Sequence, residues 1–200
     1  MPRKTAPARP DPSAPWVIDT RDLGRRPGAM RCYHRDVDLP ARLGMDVIGI
    51  SSESRVCLDV QLESVVEGVL VSGTASALLA GQCARCLDPL VDSLEVGLTE
   101  LFAYPGTATD ASTDPDEVSR VVDGLVDLEP VVRDALLLAL PQAPLCSENC
   151  PGLCPECGGQ WAELGTDHRH ETMDPRRAAL KTGRKTALKQ RLRGSEEENE

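Results

Sequence analysis

The sequence predicts an α+β fold: an antiparallel β-meander or partial barrel, one main covering helix, a cysteine-rich element, and disordered N- and C-terminal tails. Three observations carry this reading. Apolar and polar residues alternate along three successive stretches between Val56 and Thr99, the period expected of strands with one buried face. After Asp127 the spacing becomes helical, with Val132, Leu136 and Leu140 on one stripe. From Leu145 to Gly159 the chain reads LCSENCPGLCPECGG and holds four of its eight cysteines.

Order is expected to begin at Trp16–Thr20, a short run suited to an edge strand, after a proline-rich polar tail at 1–15 that is too poor in apolar groups to fold alone. Arg21 to Met30 contains two glycines and a proline, which mark turns around a small basic cluster at Arg25, Arg26 and Arg31. In the first strand Val56, Leu58, Val60 and Leu62 alternate with Cys57, Asp59, Gln61 and Glu63. Glu67-Gly68 makes a turn into a second strand whose buried set is Val69, Val71, Gly73, Ala75, Ala77 and Leu79. Cys83-Ala84-Arg85-Cys86 then connects to a third strand carrying Leu94, Val96 and Leu98. Such a connection lets a hairpin tip present both sulfurs beyond the end of the sheet. Cys32 and Cys57 have no partner at ligand spacing and are read as packing residues.

Pro105 to Arg120 is acidic and rich in Ser, Thr, Pro and Asp, which predicts a mobile loop. In the helix that follows, Asp127 caps the start, Pro130 sits in the first turn and Pro141 ends it. Beyond Trp161 apolar periodicity fades. Asp174 to Gly194 reads as a basic helix and SEEENE as an acidic end. The domain reading is therefore a tail at 1–15, a single α+β domain at 16–165 with the cysteine-rich element at 145–159, and a basic, partly helical extension at 166–200.

Composition narrows the function. One Phe, two Tyr and two Trp leave the core to Val, Leu and Ala. The net charge of −10 argues against a chain built to coat nucleic acid along its length. The charge is uneven, however: residues 32–168 hold six basic and 23 acidic groups, against nine basic and two acidic in residues 169–193. The N-terminus lacks the apolar run of a signal peptide, and no stretch is long and apolar enough to span a bilayer, so a cytoplasmic location is expected. There, paired cysteines are more often metal ligands or redox groups than structural disulfides.

Cys154-Pro155-Glu156-Cys157-Gly158 has the form of a zinc knuckle, and Cys83–Cys86 is a second pair with the same spacing. Two distant pairs predict a four-thiolate site in a zinc-ribbon-like element. Cys83, Cys86, Cys154 and Cys157 are the favoured set. Cys83 and Cys86 with Cys146 and Cys150, or the local quartet Cys146, Cys150, Cys154 and Cys157, are the alternatives. Such a site has no open position for water and holds structure rather than doing chemistry. It would fasten the C-terminal segment to the sheet. His168 and His170 are near enough to act as ligands but are read as plain surface residues. Cys150, Cys154 and Cys157 also match the spacing of radical enzymes with an iron–sulfur cluster, but too little chain follows them for the usual barrel. No triad, catalytic metal spacing or Gly-rich phosphate loop is present, so no catalytic residue is predicted and an enzyme is not expected.

EGVLVSG at Glu67–Gly73, CARCL at Cys83–Leu87, LALP at Leu138–Pro141 and LCSENCPGLCPECG at Leu145–Gly158 together resemble the YceD-like family, the large ribosomal RNA subunit accumulation proteins. The resemblance spans about residues 16–180. It is greatest to longer, actinobacterial-type members, including Leu23-Gly24-Arg25-Arg26-Pro27-Gly28. It implies a non-enzymatic ribosome-biogenesis factor that assists accumulation or processing of large-subunit ribosomal RNA. The implied partners are that RNA or its precursor, a ribosomal protein or an assembly factor, with no membrane and no small-molecule substrate. Some shorter relatives keep the counterparts of Cys83 and Cys86 but lack those of Cys154 and Cys157, so all six clustered cysteines remain candidates. Arg25, Arg26, Arg176, Arg177, Lys181, Arg184 and Lys185 are the candidate contacts to RNA or a partner. The rival expectation is a thiol-based redox or zinc-sensing protein.

Overall fold

The computed structural model describes residues 9–52, 54–112 and 118–170. The basic segment Asp174–Gly194, with Arg176, Arg177, Lys181, Arg184 and Lys185, lies outside these residues. So do residues 1–8 of the expected N-terminal tail and residues 113–117 of the expected loop. The chain divides into two compact units at Cys150–Pro151, inside the 145–159 element that the sequence reads as one piece.

In the first unit the expected meander forms from β5 (Arg55–Ser64), β6 (Gly68–Gln82) and β7 (Pro89–Ala103). β6 is the antiparallel neighbour of both others: Leu62 opposes Val71, and Val71 opposes Glu100. In β5, Val56, Leu58, Val60 and Leu62 are buried while Cys57 and Asp59 are exposed. Fifteen-residue β6 is the spine of the sheet. β7 runs along one of its edges, while β5 pairs with the other as far as Ala77. Beyond that point β4 (Ile48–Ile50) takes over, and it pairs in turn with β3 (Leu43–Gly44). The sheet curls into a half-barrel. Gly73 shows how tight the curl is. Its φ is +154°, and a Cβ there would come within 2.1 Å of the Asp59 carbonyl oxygen.

The fold also contains elements that periodicity did not reveal. β2 (Met30–Asp38) pairs with β5 from Arg55 to Glu63, yet of its nine residues only Val37 is buried. Its inward positions include Tyr33 and Arg35, which breaks the apolar alternation. Arg35 donates to the carbonyls of Pro15 and Val17 at 3.2 and 3.0 Å, tying the sheet to the edge strand expected at Trp16–Thr20. That strand, β1 (Val17–Asp19), pairs with β8 (Leu125–Asp127) in a separate two-stranded sheet. β8 is preceded by a two-residue turn, Asp123-Gly124, with both residues at positive φ. This is the Asp-Gly signature of a type I′ hairpin.

Cys32 and Cys57 are exposed, not packing residues. The reason is parity: Cys57 alternates with Val56 and Leu58 and so faces away from the core. Part of the expected loop is ordered as a short helix, α1 (Ala108–Ser112).

The main helix, α2 (Glu129–Ala139), lies within its expected bounds and buries Val132 and Leu136 against the sheet. Its N-cap is Leu128 rather than Asp127. Asp127 still serves this end, because its carboxylate accepts the Glu129 N–H at 3.0 Å. Ile18, Ile48, Leu58, Leu79 and Leu128 are among the fully buried side chains, an aliphatic core as composition required.

Candidate metal centres

Cys83 and Cys86 stand on the turn between β6 and β7. The Cys83 N–H donates to the Asp88 carbonyl at 2.8 Å, and the Leu87 N–H donates to the Cys83 carbonyl at 2.9 Å. Leu87 closes the turn at φ +63°, a rare conformation for a β-carbon-bearing residue. The chain leaving α2 docks here, with the Ala84 N–H donating to the Pro144 carbonyl at 2.7 Å. Arg85 reaches the Cys150 carbonyl with one Nη at 3.0 Å. These contacts bring Cys146 and Cys150 to the knuckle.

The four sulfurs of Cys83, Cys86, Cys146 and Cys150 all lie within 4.8 Å of one another. Cys83 Sγ is 3.7 Å from Cys150 Sγ, and Cys86 Sγ is 3.6 Å from Cys146 Sγ. A regular tetrahedron with zinc–sulfur bonds of about 2.3 Å has edges of roughly 3.8 Å. The fit is close.

A second set lies in the other unit. Cys154-Pro155-Glu156-Cys157 forms a knuckle in which the Cys154 N–H donates to the Gly159 carbonyl at 2.7 Å. The Gly158 N–H donates to the Cys154 carbonyl at 2.8 Å, with Gly158 at φ +71°. A bridge between Leu153 and Gln160 and the Trp161 N–H on the Gly152 carbonyl complete a small hairpin. Cys154 Sγ then meets His170 Nε2 at 3.2 Å, and Cys157 Sγ meets His168 Nε2 at 3.6 Å. Sulfur and nitrogen ligands on one tetrahedral zinc would be about 3.6 Å apart. Glu156 Oε2 lies 3.6 Å from His170 Nδ1, the outer ring nitrogen. Metal-bound histidines commonly place a carboxylate there to orient the ring.

The electrostatics of both sets suit a cation. The N–H of Cys146, then those of Cys86 and Arg85, favour the Cys83 thiolate and hold that thiol at about 6 against the effect of burial. The N–H of Cys157, with that of Glu156 and the rings of His168 and His170, holds Cys154 at about 6 as well. At Cys86 the Asp88 N–H favours the thiolate, but burial and the neighbouring sulfurs outweigh it and push the thiol up. Cys146 is also pushed up, first by its contact with Cys150. Four crowded thiols cannot all ionise unless a positive charge sits among them.

The sequence-predicted ligands are thus all placed, in a different grouping from the favoured one. Cys83 and Cys86 are gathered with Cys146 and Cys150, the first of the two alternatives. Cys154 and Cys157 are gathered with His168 and His170, which the sequence reading left on the surface. The signal for these histidines was their position, since His168 follows Cys157 by eleven residues and the pair is separated by one residue. Cys150 joins the first set, which breaks up the iron–sulfur spacing. Arg25 and Arg26 are exposed, on the loop before β2.

A family model described as large ribosomal RNA subunit accumulation protein YceD matches residues 71–182. The chain belongs to the YceD family. An uncharacterized protein of Mycobacterium tuberculosis is 52% identical over 169 residues, covering 84% of this chain and 81% of the relative. One from Mycobacterium leprae is 43% identical over 162 residues, covering 81% of this chain and 74% of its own length. The uncharacterized protein YlbN of Bacillus subtilis is 31% identical over 108 residues, covering 54% of this chain and 61% of its own length. No solved structure matches the chain. The YceD match includes both knuckles and both histidines, and its name links this chain to large-subunit ribosomal RNA. Among the described residues no helix is long and apolar enough to cross a membrane.

Proposed function

We propose that this YceD-family chain is a non-enzymatic ribosome-biogenesis factor that assists accumulation or processing of large-subunit ribosomal RNA. In this reading it meets that RNA or its precursor, or a ribosomal protein or assembly factor bound to it. The observation that carries the reading is the family match. The two donor sets support the non-enzymatic part. Each offers four protein ligands, so bound zinc would keep no position for water and would act as a structural tie. In the first set, Cys83, Cys86, Cys146 and Cys150 would fix the chain after α2 to the end of the β6–β7 hairpin. In the second, Cys154, Cys157, His168 and His170 would hold together a unit whose described residues bury little apolar surface.

The test is to deplete the protein in its host and measure the two ribosomal RNAs, while fractionating tagged protein on a gradient. Large-subunit RNA should fall relative to small-subunit RNA, and the tagged protein should travel with large-subunit precursors. An unchanged RNA ratio together with exclusion from those fractions refutes the reading.

A second reading, thiol-based sensing, draws on the exposure of Cys146 and Cys157, one in each set. Mild peroxide separates the two. A sensor releases its metal and regains it on reduction, whereas a structural tie keeps it throughout.

A further inference from the structure

The loop between β1 and β2 carries Arg21, Arg25 and Arg26, and Arg31 follows at the start of β2. Two of these serve the protein itself: Arg21 pairs with Asp19 at 2.9 Å, and Arg31 lies 3.7 Å from Asp22. Arg25 and Arg26 are exposed, and among the described residues neither has a carboxylate at ion-pair distance. The guanidinium carbon of Arg25 sits 4.7 Å above the centre of the Tyr104 ring. That ring is fixed from behind. Tyr104 is 7% exposed, its hydroxyl lies 3.4 Å from the buried Ser64 hydroxyl, and its N–H donates to the Glu67 carbonyl at 2.9 Å.

Arg25 and Tyr104 line an open cleft of about 490 Å³, closed on the other side by the Asp123-Gly124 turn. The carboxylate in this cleft, Asp123, is already matched by Arg9 at 3.2 Å. In so acidic a body, an uncompensated Arg25 lining the cleft and an uncompensated Arg26 next to it in the loop are a local reversal of sign. By contrast, Arg55 and Arg120 pair with Asp38 and Asp110, and Arg35 and Arg85 donate to backbone carbonyls.

We propose that this cleft binds a single-stranded segment of RNA, with Arg26 on a phosphate and a base stacked on the outer plane of Arg25. The base, the guanidinium and the Tyr104 ring would then lie in layers. A planar cation held on a ring has already lost the freedom that stacking would remove, and unpaired bases bind to arginine planes as they do to aromatic rings. Phosphate contact adds affinity that falls as salt rises. An acidic protein could use the same charges but would have no use for the plane. The inference rests on the proposed RNA-related function and names its site.

The experiment uses the full chain, a short fluorescent single-stranded oligoribonucleotide and the same strand without bases. Arg25→Lys, Arg26→Ala and, as a control on the exposed face of α2, Arg133→Ala are compared by anisotropy over a range of salt. All three positions are exposed, and thermal melting should show the variants folded as the parent. Arg25→Lys keeps the charge and removes the plane. It should weaken the base-bearing strand on the order of 10-fold while leaving the abasic strand unchanged. Arg26→Ala should lower the slope of log K against log salt by about 0.7, the share of one phosphate on a single strand. Arg133→Ala should match the parent. Equal binding of both strands by the parent and Arg25→Lys overturns the stack, and an unaltered salt slope in Arg26→Ala overturns the phosphate contact. Competition by polyglutamate as effective as by RNA would assign the cleft to an acidic protein and overturn the proposal. Each of these results leaves the depletion experiment untouched, so a failed cleft and a failed functional reading are told apart.

Discussion

Single residues decide which atoms meet a cation. His168 and His170 face Cys157 and Cys154 from a stretch with little apolar content. His170→Ala should cut the metal bound by the purified chain from two ions to one, measured by elemental analysis. Cys86→Ser should remove the other ion and leave the histidine-containing set loaded. If either variant loses both ions, the two sets are not independent. The thiols also set a pH dependence. Cys83 and Cys154 are both held at about 6, below the ordinary thiol range. A depressed pKa contributes stability that is complete above the unfolded value and is lost as pH falls through the folded one. A bound cation competes with protons for the same sulfurs, so it carries the loss further down. Metal should stay bound at neutral pH and be released below about pH 6, as followed with a chromogenic chelator. Both knuckles are plain in the sequence, because two thiols three positions apart beside a turn have few other uses. Their partners were not, because a ligand set is chosen by which loops dock, and the docking of Ala84 on Pro144 has no local signature.

At the scale of elements, the curl of the sheet goes with close backbone contact where Gly73 of β6 pairs with β5. Gly73→Ala would drive a methyl group into the Asp59 carbonyl at a φ that L-residues avoid. Strain there should cost about 1–3 kcal/mol, read as a lower midpoint in urea. Helix α2 offers a paired comparison. Leu136 is 1% exposed and Leu138 is 88% exposed. Leu136→Ala should cost about 2–5 kcal/mol, while Leu138→Ala should fall within about 0.5 kcal/mol of the parent. Equal effects would mean that the buried stripe is misassigned. That stripe was legible from its spacing, as were the three meander strands from theirs. β2 was not, because an edge strand that pairs along β5 needs its backbone more than apolar side chains. β8 was overlooked although Asp123-Gly124 announces a hairpin; three residues are too few to show a period.

For the whole molecule, the consequence of two donor sets is that metal removal should not act uniformly. The β unit keeps a continuous aliphatic core, whereas the described part of the second unit buries little beyond Gly152 and Cys154. A strong chelator should therefore expose residues 152–170 to protease at temperatures where the strands of residues 55–103 persist. Circular dichroism and limited proteolysis on one sample would show it. Simultaneous loss of both units would place the metal's contribution in the β unit instead. Zinc in small peptides binds with about 10–16 kcal/mol, ample to order a unit of this size.

The linear sequence by itself determined the α+β class, the strands β5 to β7, the buried stripe of α2, though not the exposure of Leu138 beside it, the aliphatic core and the two knuckles. All of these follow from short-range periodicity and spacing, which the chain carries locally. Only the tertiary structure decided that Cys83 and Cys86 share their cluster with Cys146 and Cys150, that two histidines complete the other, and that the Arg25 guanidinium sits over the Tyr104 ring. Those groupings join residues far apart in the chain, and which of them form is decided by how strands register and loops dock, a choice no local pattern encodes.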